Sequence, residues 1–256
     1  MVGEAAVADA VARAQATPSL KVGLHLALIE GTPVSDPSAI PDLVDKNGRF
    51  PSDMVSAGFR FFFLPHVRRQ LAAEIRAQFE AFKATGLKLD HVNTHKHIHL
   101  HPTVAAMMIR IGRDYGLRAM RVPYEPAGPI ASAAGTGGRM SLGDTALRLW
   151  TRQLADNIRR AGLVANDQVF GLAWSGAVTE ERLLALIPHL PDGVSEIYGH
   201  PATVMTPAIR RTMPEYRHPE ELAGLLSPRV REALAVGGVI RTSFSELDPV
   251  NTYRTP

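Results

Sequence analysis

Five histidines stand at alternate positions in the tract His91-Val92-Asn93-Thr94-His95-Lys96-His97-Ile98-His99-Leu100-His101, half of the ten in the chain. In an extended strand successive side chains alternate faces. His91, His95, His97, His99 and His101 would then project with Asn93 from one side, and Val92, Ile98 and Leu100 from the other. Several imidazolium charges in one row repel one another, whereas neutral imidazoles are ready metal ligands. Short His-rich tracts therefore suggest metal binding, with a solvated strand end as the plainer alternative.

Composition narrows the donors. The 256 residues include no cysteine, so there is neither a disulfide framework nor a thiolate site, and any metal must be held by imidazole and oxygen. A 45% hydrophobic and 21% charged chain can bury a sizeable core. The net charge of +3 is scattered, with no basic stripe for nucleic acid. No run approaches the ~18 apolar residues of a membrane span, and the first residues lack a signal-peptide pattern. A cytoplasmic protein is the default. The run Phe59, Phe61, Phe62 and Phe63, interrupted by Arg60, reads first as core and second as a face for a lipid-like substrate.

The elements that must position the tract follow from periodicity. A helix over about 4–16 leads into an apolar strand from Lys21 to Leu28. Residues 31–64, with four prolines, read as a long irregular excursion of the kind that builds part of a site. A helix from His66 to Thr85 carries Leu71, Ile75, Phe79 and Phe82 at helical spacing and stops at Gly86. The His-bearing strand follows. Pro102 opens a helix to Tyr115, and Leu117 to Val122 reads as a strand. The Gly-, Ala- and Pro-rich stretch 126–143 reads as a loop, and 144–161 as a helix with Leu147, Trp150, Leu154 and Ile158 on one face. Strands near 168–172, 194–199 and 238–242 alternate with helices near 179–188 and 218–235. Such alternation implies parallel pairing in an α/β fold, a (β/α) barrel or a distorted relative of one, forming a single domain over 1–256.

In such barrels chemistry sits at the carboxyl ends of strands. His25, the histidine tract, Arg121 and His200 all fall at predicted strand ends. Taken singly, His25 could equally be a core residue and Arg121 a structural ion-pair partner.

Gly-Leu-His-Leu at 23–26, the segment His91 to Pro102, and Glu-Ile-Tyr-Gly-His-Pro at 196–201 together resemble the YdjC-like carbohydrate deacetylases. Segments 40–50, 170–176 and the stretch from His218 resemble the hopanoid-biosynthesis-associated branch of that family. The resemblance runs over nearly the whole chain. It implies an irregular (β/α) barrel that removes acetyl groups from N-acetylated amino sugars, here one carried on a hopanoid glycolipid, by metal-assisted hydrolysis. A lipid substrate would make the protein membrane-peripheral. His25 and His95 match the family histidines that bind the divalent ion, with His91, His97 and His99 around them and His101 nearest solvent. Asn93 stands where many members have Asp, and its carbonyl can still orient an imidazole. An amide is a poor electrophile, so a metal must polarise it and lower the pKa of bound water. His200 is the candidate acid for the leaving amine, and Arg121 the candidate oxyanion or carboxylate partner. The family implies magnesium, whereas imidazole-rich ligation suits zinc, cobalt or nickel.

The resemblance also implies an opening Asp-Asp-Phe-Gly strand, and this chain contains no Asp-Asp pair. The expectation is a chain lacking the family's first strand, first helix and second strand, with weak metal binding by two histidines, little activity until upstream residues are restored, and a tendency to dimerise through exposed edges. Asp90, Asp45 and Glu30 are the local carboxylates, and spacing selects none of them. Two other functions compete: a non-catalytic metal-binding protein and an inactive sugar-binding barrel. The framing of the tract by a strand and a Pro-started helix favours catalysis over a flexible metal reservoir.

Overall fold

After helix α1, Val7–Gln15, the apolar run past Lys21 extends as β1, Val22–Leu26, and pairs in parallel with β2, Leu89–Thr94. A parallel pair needs a crossover. Here it holds α2, Met54–Phe63, and α3, Pro65–Ala84, while α4, Pro102–Gly112, follows β2 in the chain. The computed structural model describes residues 1–136 and 142–248, which fall into two compact units. The first contains residues 1–121, 153–165 and the segment from Ser243; the second contains 122–152 and 166–242.

Within the first unit α3 behaves as its sequence predicts. Pro65 occupies the first turn, where a missing N–H costs nothing, and Gly86 ends the helix at φ +71°. Leu71, Ile75, Phe79 and Phe82 are buried. Glu74 and Gln78 share that stripe and are buried too. Glu74 accepts the amides of Val34 and Ser35 at 3.0 and 2.9 Å, and Gln78 accepts the Ala27 amide at 3.0 Å while donating to the Ala27 carbonyl at 2.6 Å. The segment leaving β1 is thus tied to α3 with its buried polar groups satisfied.

The β1–β2 register sets Leu24 beside Val92, His25 beside Asn93 and Leu26 beside Thr94. Between Val22↔Leu89 and Leu24↔Val92, β2 advances one residue more than β1, so Asp90 and His91 bulge opposite Gly23. Single parallel bridges, Val92↔Met120 and Ala119↔Val164, continue the pairing where the sequence predicts a strand over 117–122.

The single-faced histidine row does not form. β2 ends at Thr94, and His95–Leu100 winds into a 3-10 segment in which Lys96 and His97 take left-handed φ of 51° and 53°. Left-handed backbone breaks the strand alternation, so the five imidazoles point different ways. The excursion over 31–64 also holds an unexpected element, α2. Asp53 caps it by accepting the Val55 and Ser56 amides, yet only Ala57 and Phe61 of the helix are buried.

The second unit contains α5, Ala127–Ala133, the first part of α6, Leu142–Arg160, and then β3, Gln168–Phe170, α7, Glu180–Leu186, and β4, Ser195–Ile197. Three helices follow: α8, Pro207–Thr212, α9, His218–Leu226, and α10, Pro228–Val236. β3 and β4 pair in parallel, Val169 beside Glu196, and Val178, Leu183, Ile187 and Val230 form a buried cluster. Parallel strands alternating with helices give the α/β pattern expected. Four details depart from the sequence reading. The stretch 126–143 contains α5, and its residues 137–141 lie outside the described residues. Leu154 and Ile158 of α6 are buried, but Leu147 and Trp150 are exposed. The helix expected over 218–235 breaks at Ser227, whose hydroxyl accepts the Val230 amide, because Pro228 cannot continue α9. Residues 238–242 form no strand; Gly238 is left-handed and Ile240 is exposed.

Candidate active site

The register brings the His25 imidazole against the Asn93 side chain, with Nδ1 2.7 Å from Oδ1. The proton on each ring can be placed from the far end of the chain of contacts. Asp90 accepts only, so His91 Nδ1, 2.9 Å from Asp90 Oδ2, carries hydrogen and donates. His91 Nε2 is then an acceptor, taking the Asn93 Nδ2 hydrogen across 3.3 Å. Asn93 Oδ1 is left to accept from His25 Nδ1, and the His25 Nε2 lone pair is free to bind elsewhere. Ser245 anchors the other end, its amide donating to Asp90 Oδ1 at 3.0 Å. The Phe244 ring lies 4.7 Å from the His91 ring, and a Cβ on Gly23 would lie 2.6 Å from His91 Cε1. Glycine at 23 is therefore what lets the His91 ring lie against β1.

The His95 ring stands 5.7 Å from that of His25, at 79°. Two imidazoles bound to one tetrahedral ion by ~2.1 Å bonds have centres roughly 5–6 Å apart, so the pair fits a shared divalent ion. Burial holds the His25 pKa down at about 3 against the pull of its hydrogen bond to Asn93, and the charges of His95 and Arg121 push the same way as burial. A neutral imidazole is the form that binds metal. Glu30 Oε2 is 3.4 Å from His95 Nε2, and Glu30 also pairs with Lys96, whose hydrogen bond is the main cause of its lowered pKa. Glu30, Lys96 and His97 are the described non-glycine residues with left-handed φ, and all three adjoin His95 in space or sequence. Backbone strain of this kind gathers at functional sites. The three carboxylates that spacing leaves unranked now separate: Glu30 lies at His95, Asp90 behind His91, and Asp45 in a turn where it accepts the Asn47 and Arg49 amides. Among the described residues no group of three or more His, Cys, Asp or Glu side chains forms a metal cage.

The remaining tract histidines divide by environment. His99 is fully buried: Nε2 donates to the Arg121 carbonyl at 2.9 Å, and Nδ1 accepts the Thr94 hydroxyl at 2.5 Å. Burial lowers its pKa to about 3. It straps the end of β2 to residue 121 and is closed to substrate. His97 lies 6.2 Å ring to ring from His99. His101, expected nearest solvent, is half-buried against the rings of Phe61 and Phe62, each 6.1 Å away. Arg121 is buried, its amide donating to the Val92 carbonyl at 3.1 Å.

His200 belongs to the second unit. Its amide donates to Glu221 and its carbonyl accepts from His218 Nδ1. Glu221, buried, also accepts the Val178 amide at 2.9 Å. The His200 ring sits 5.0 Å from Tyr216 and 5.7 Å from Tyr198. In the same unit Glu125 accepts three successive amides, Gly171, Leu172 and Ala173, at 2.7–2.9 Å, although burial raises its pKa. Sequence reasoning missed Glu125 and Glu221, since a lone glutamate carries no spacing signal.

The family model described as YdjC-like protein matches residues 1–236. The chain belongs to the YdjC-like family. This YdjC-like chain is 28% identical over 231 residues to a carbohydrate deacetylase of Geobacillus stearothermophilus, covering 90% of the chain and 77% of that protein. It is 26% identical over 248 residues to a carbohydrate deacetylase of Vibrio parahaemolyticus, covering 96% and 83%. A third, from Brevibacillus brevis, is 36% identical over 118 residues, 45% of the chain and 43% of that protein. A solved structure from Enterococcus faecalis V583, assigned to cellobiose-phosphate cleavage, shares the fold with a TM-score of 0.69 at 19% identity, over 97% of this chain and 86% of that one. No helix among the described residues is long and apolar enough to cross a membrane.

Proposed function

We propose that this YdjC-like protein is a metal-dependent carbohydrate deacetylase that hydrolyses the acetamide of an amino sugar, on a fold read as an irregular (β/α) barrel. The observation that carries the reading is the His25–His95 pair, with His25 held neutral and its Nε2 lone pair left available because Nδ1 is bound to Asn93. His25 and His95 would hold one divalent ion, magnesium by family and zinc by donor type. When bound, that ion polarises the amide carbonyl and acidifies a water. Glu30, the carboxylate at His95, takes the water's proton and returns it to the departing amine, and Arg121 steadies the developing oxyanion. The names of the relatives support the sugar, and segments 40–50, 170–176 and the stretch from His218 support a hopanoid-linked one.

Two measurements test it: metal binding by calorimetry, ion by ion, and acetate release from N-acetylglucosamine oligomers and glycolipids. His25→Ala and His95→Ala should each abolish both signals, whereas Glu30→Gln should keep the ion and lose turnover. Metal binding that survives in the double histidine variant would overturn the assignment.

A further inference from the structure

The outer face of α2 is apolar and uncovered. Val55, Phe59 and Phe62 recur at i, i+4 and i+7, and with Phe63 they are 83, 62, 49 and 56% exposed. Phe63 packs on Phe59 and Phe62 at ring distances of 4.5 and 4.9 Å, so these rings cluster on one another rather than on the core. Contiguous exposed apolar surface marks a binding face. Its chemistry is refined by the charged residues that flank it in the chain. Asp53 is engaged in capping α2, and Arg60 and His66 share Asp42. Arg68 and Arg69, one turn into α3, are exposed and make no ion pair among the described residues.

Exposed aromatic side chains followed in the chain, at the start of the next helix, by exposed and unpaired arginines are the composition of a surface that settles into a bilayer interface, the rings among acyl chains and the guanidinium groups at phosphates. Pairing this face with a second copy of the chain would instead bring further unpaired arginine to the same margin. The patch is also continuous with the histidine tract, because the His101 ring packs against both Phe61 and Phe62. We propose that the α2 face, Val55, Phe59, Phe62 and Phe63 with Arg68 and Arg69, docks the protein on an anionic lipid surface and so brings the histidine tract near that surface. The docking is separate from the deacetylase reading, since vesicle binding is measured without turnover.

The test is sedimentation of the full chain with phosphatidylcholine vesicles, with and without about one-third phosphatidylglycerol. The wild type should partition onto the anionic vesicles. Phe59→Ser/Phe62→Ser/Phe63→Ser and, separately, Arg68→Glu/Arg69→Glu should each lower that partition ~10-fold or more. Both sets are exposed, so melting curves should match wild type; if the triple variant does not fold, Val55→Ser with the arginine pair carries the test. Wild type that stays in the supernatant, or variants that bind as well as it does, overturns the proposal. A wild-type dimer that the serine variant dissolves, with no vesicle binding, overturns it in favour of a second copy.

Discussion

Asn93 accepts from His25 and donates to His91, and each bond dictates which nitrogen of its histidine carries the proton. Losing the amide removes the bond that sets the His25 ring, so Asn93→Ala should weaken metal binding by ~10–100-fold, the usual cost of removing an outer-shell partner. Gly23→Ala should do much the same by a different route, because the new methyl would displace the His91 ring rather than unbond it. Calorimetry on both variants checks this, and wild-type affinity in either would sink the relay. Asp90 gives a pH test of stability. Burial pushes its carboxyl up, but hydrogen bonds from His91 and from the Ser245 side chain and amide outweigh burial and leave its pKa at about 2, below the unfolded value. A depressed carboxyl stabilises the fold above the unfolded pKa, and that contribution is lost as pH falls through the folded one. The urea midpoints of wild type and Asp90→Asn should therefore differ near neutral pH and converge as pH drops from ~4 towards ~2. His25 and Asn93 could each be singled out from the sequence, but their pairing comes from the strand register. The roles of Asp90 and Gly23 could not, because they depend on a bulge that shifts register by one residue and leaves no mark in composition.

Elements whose buried stripe is long were readable, and those whose pattern is short or inverted were not. α3 declared itself through Leu71, Ile75, Phe79 and Phe82. α2 did not, because its apolar residues mostly face outward and its start follows a proline-rich run. The histidine strand was over-extended because alternation over 91–101 mimics a strand, whereas two left-handed residues turn the backbone after Thr94. The parallel α/β character survived these errors, since it rests on the order of elements rather than their ends. In the second unit the segment after β3 owes its shape to a residue outside it. Glu125 gathers the Gly171, Leu172 and Ala173 amides, so Glu125→Ala leaves three donors without their acceptor at a cost of about 2–3 kcal/mol. Hydrogen exchange should then accelerate at 171–173 while β1 and β2 keep their protection; unchanged exchange at those amides would show that the carboxylate does not hold them.

Across the whole chain the first unit is closed by a contact spanning 155 residues, the Ser245 amide on Asp90. Phe244 covers His91 from the same short segment, whose Ser243 and Glu246 form a capping box that fixes its turn. The segment is remote from the histidine tract in sequence and meets Asp90 and His91 through a serine amide and a phenylalanine ring, so nothing in its composition ties it to the site. Yet it holds the outer end of the Asp90–His91–Asn93–His25 chain, and through that chain it bears on the orientation of His25. Ending the chain after Thr242 should accordingly lower metal affinity by ~10-fold or more, as removing an outer-shell support does, and lower the melting temperature by a few degrees. The single variant Phe244→Ala, which keeps the Ser245 amide, should show a smaller loss. Equal affinities in the shortened chain, Phe244→Ala and wild type would mean that β2 alone suffices to hold His91, and that the closing segment serves stability without reaching the site.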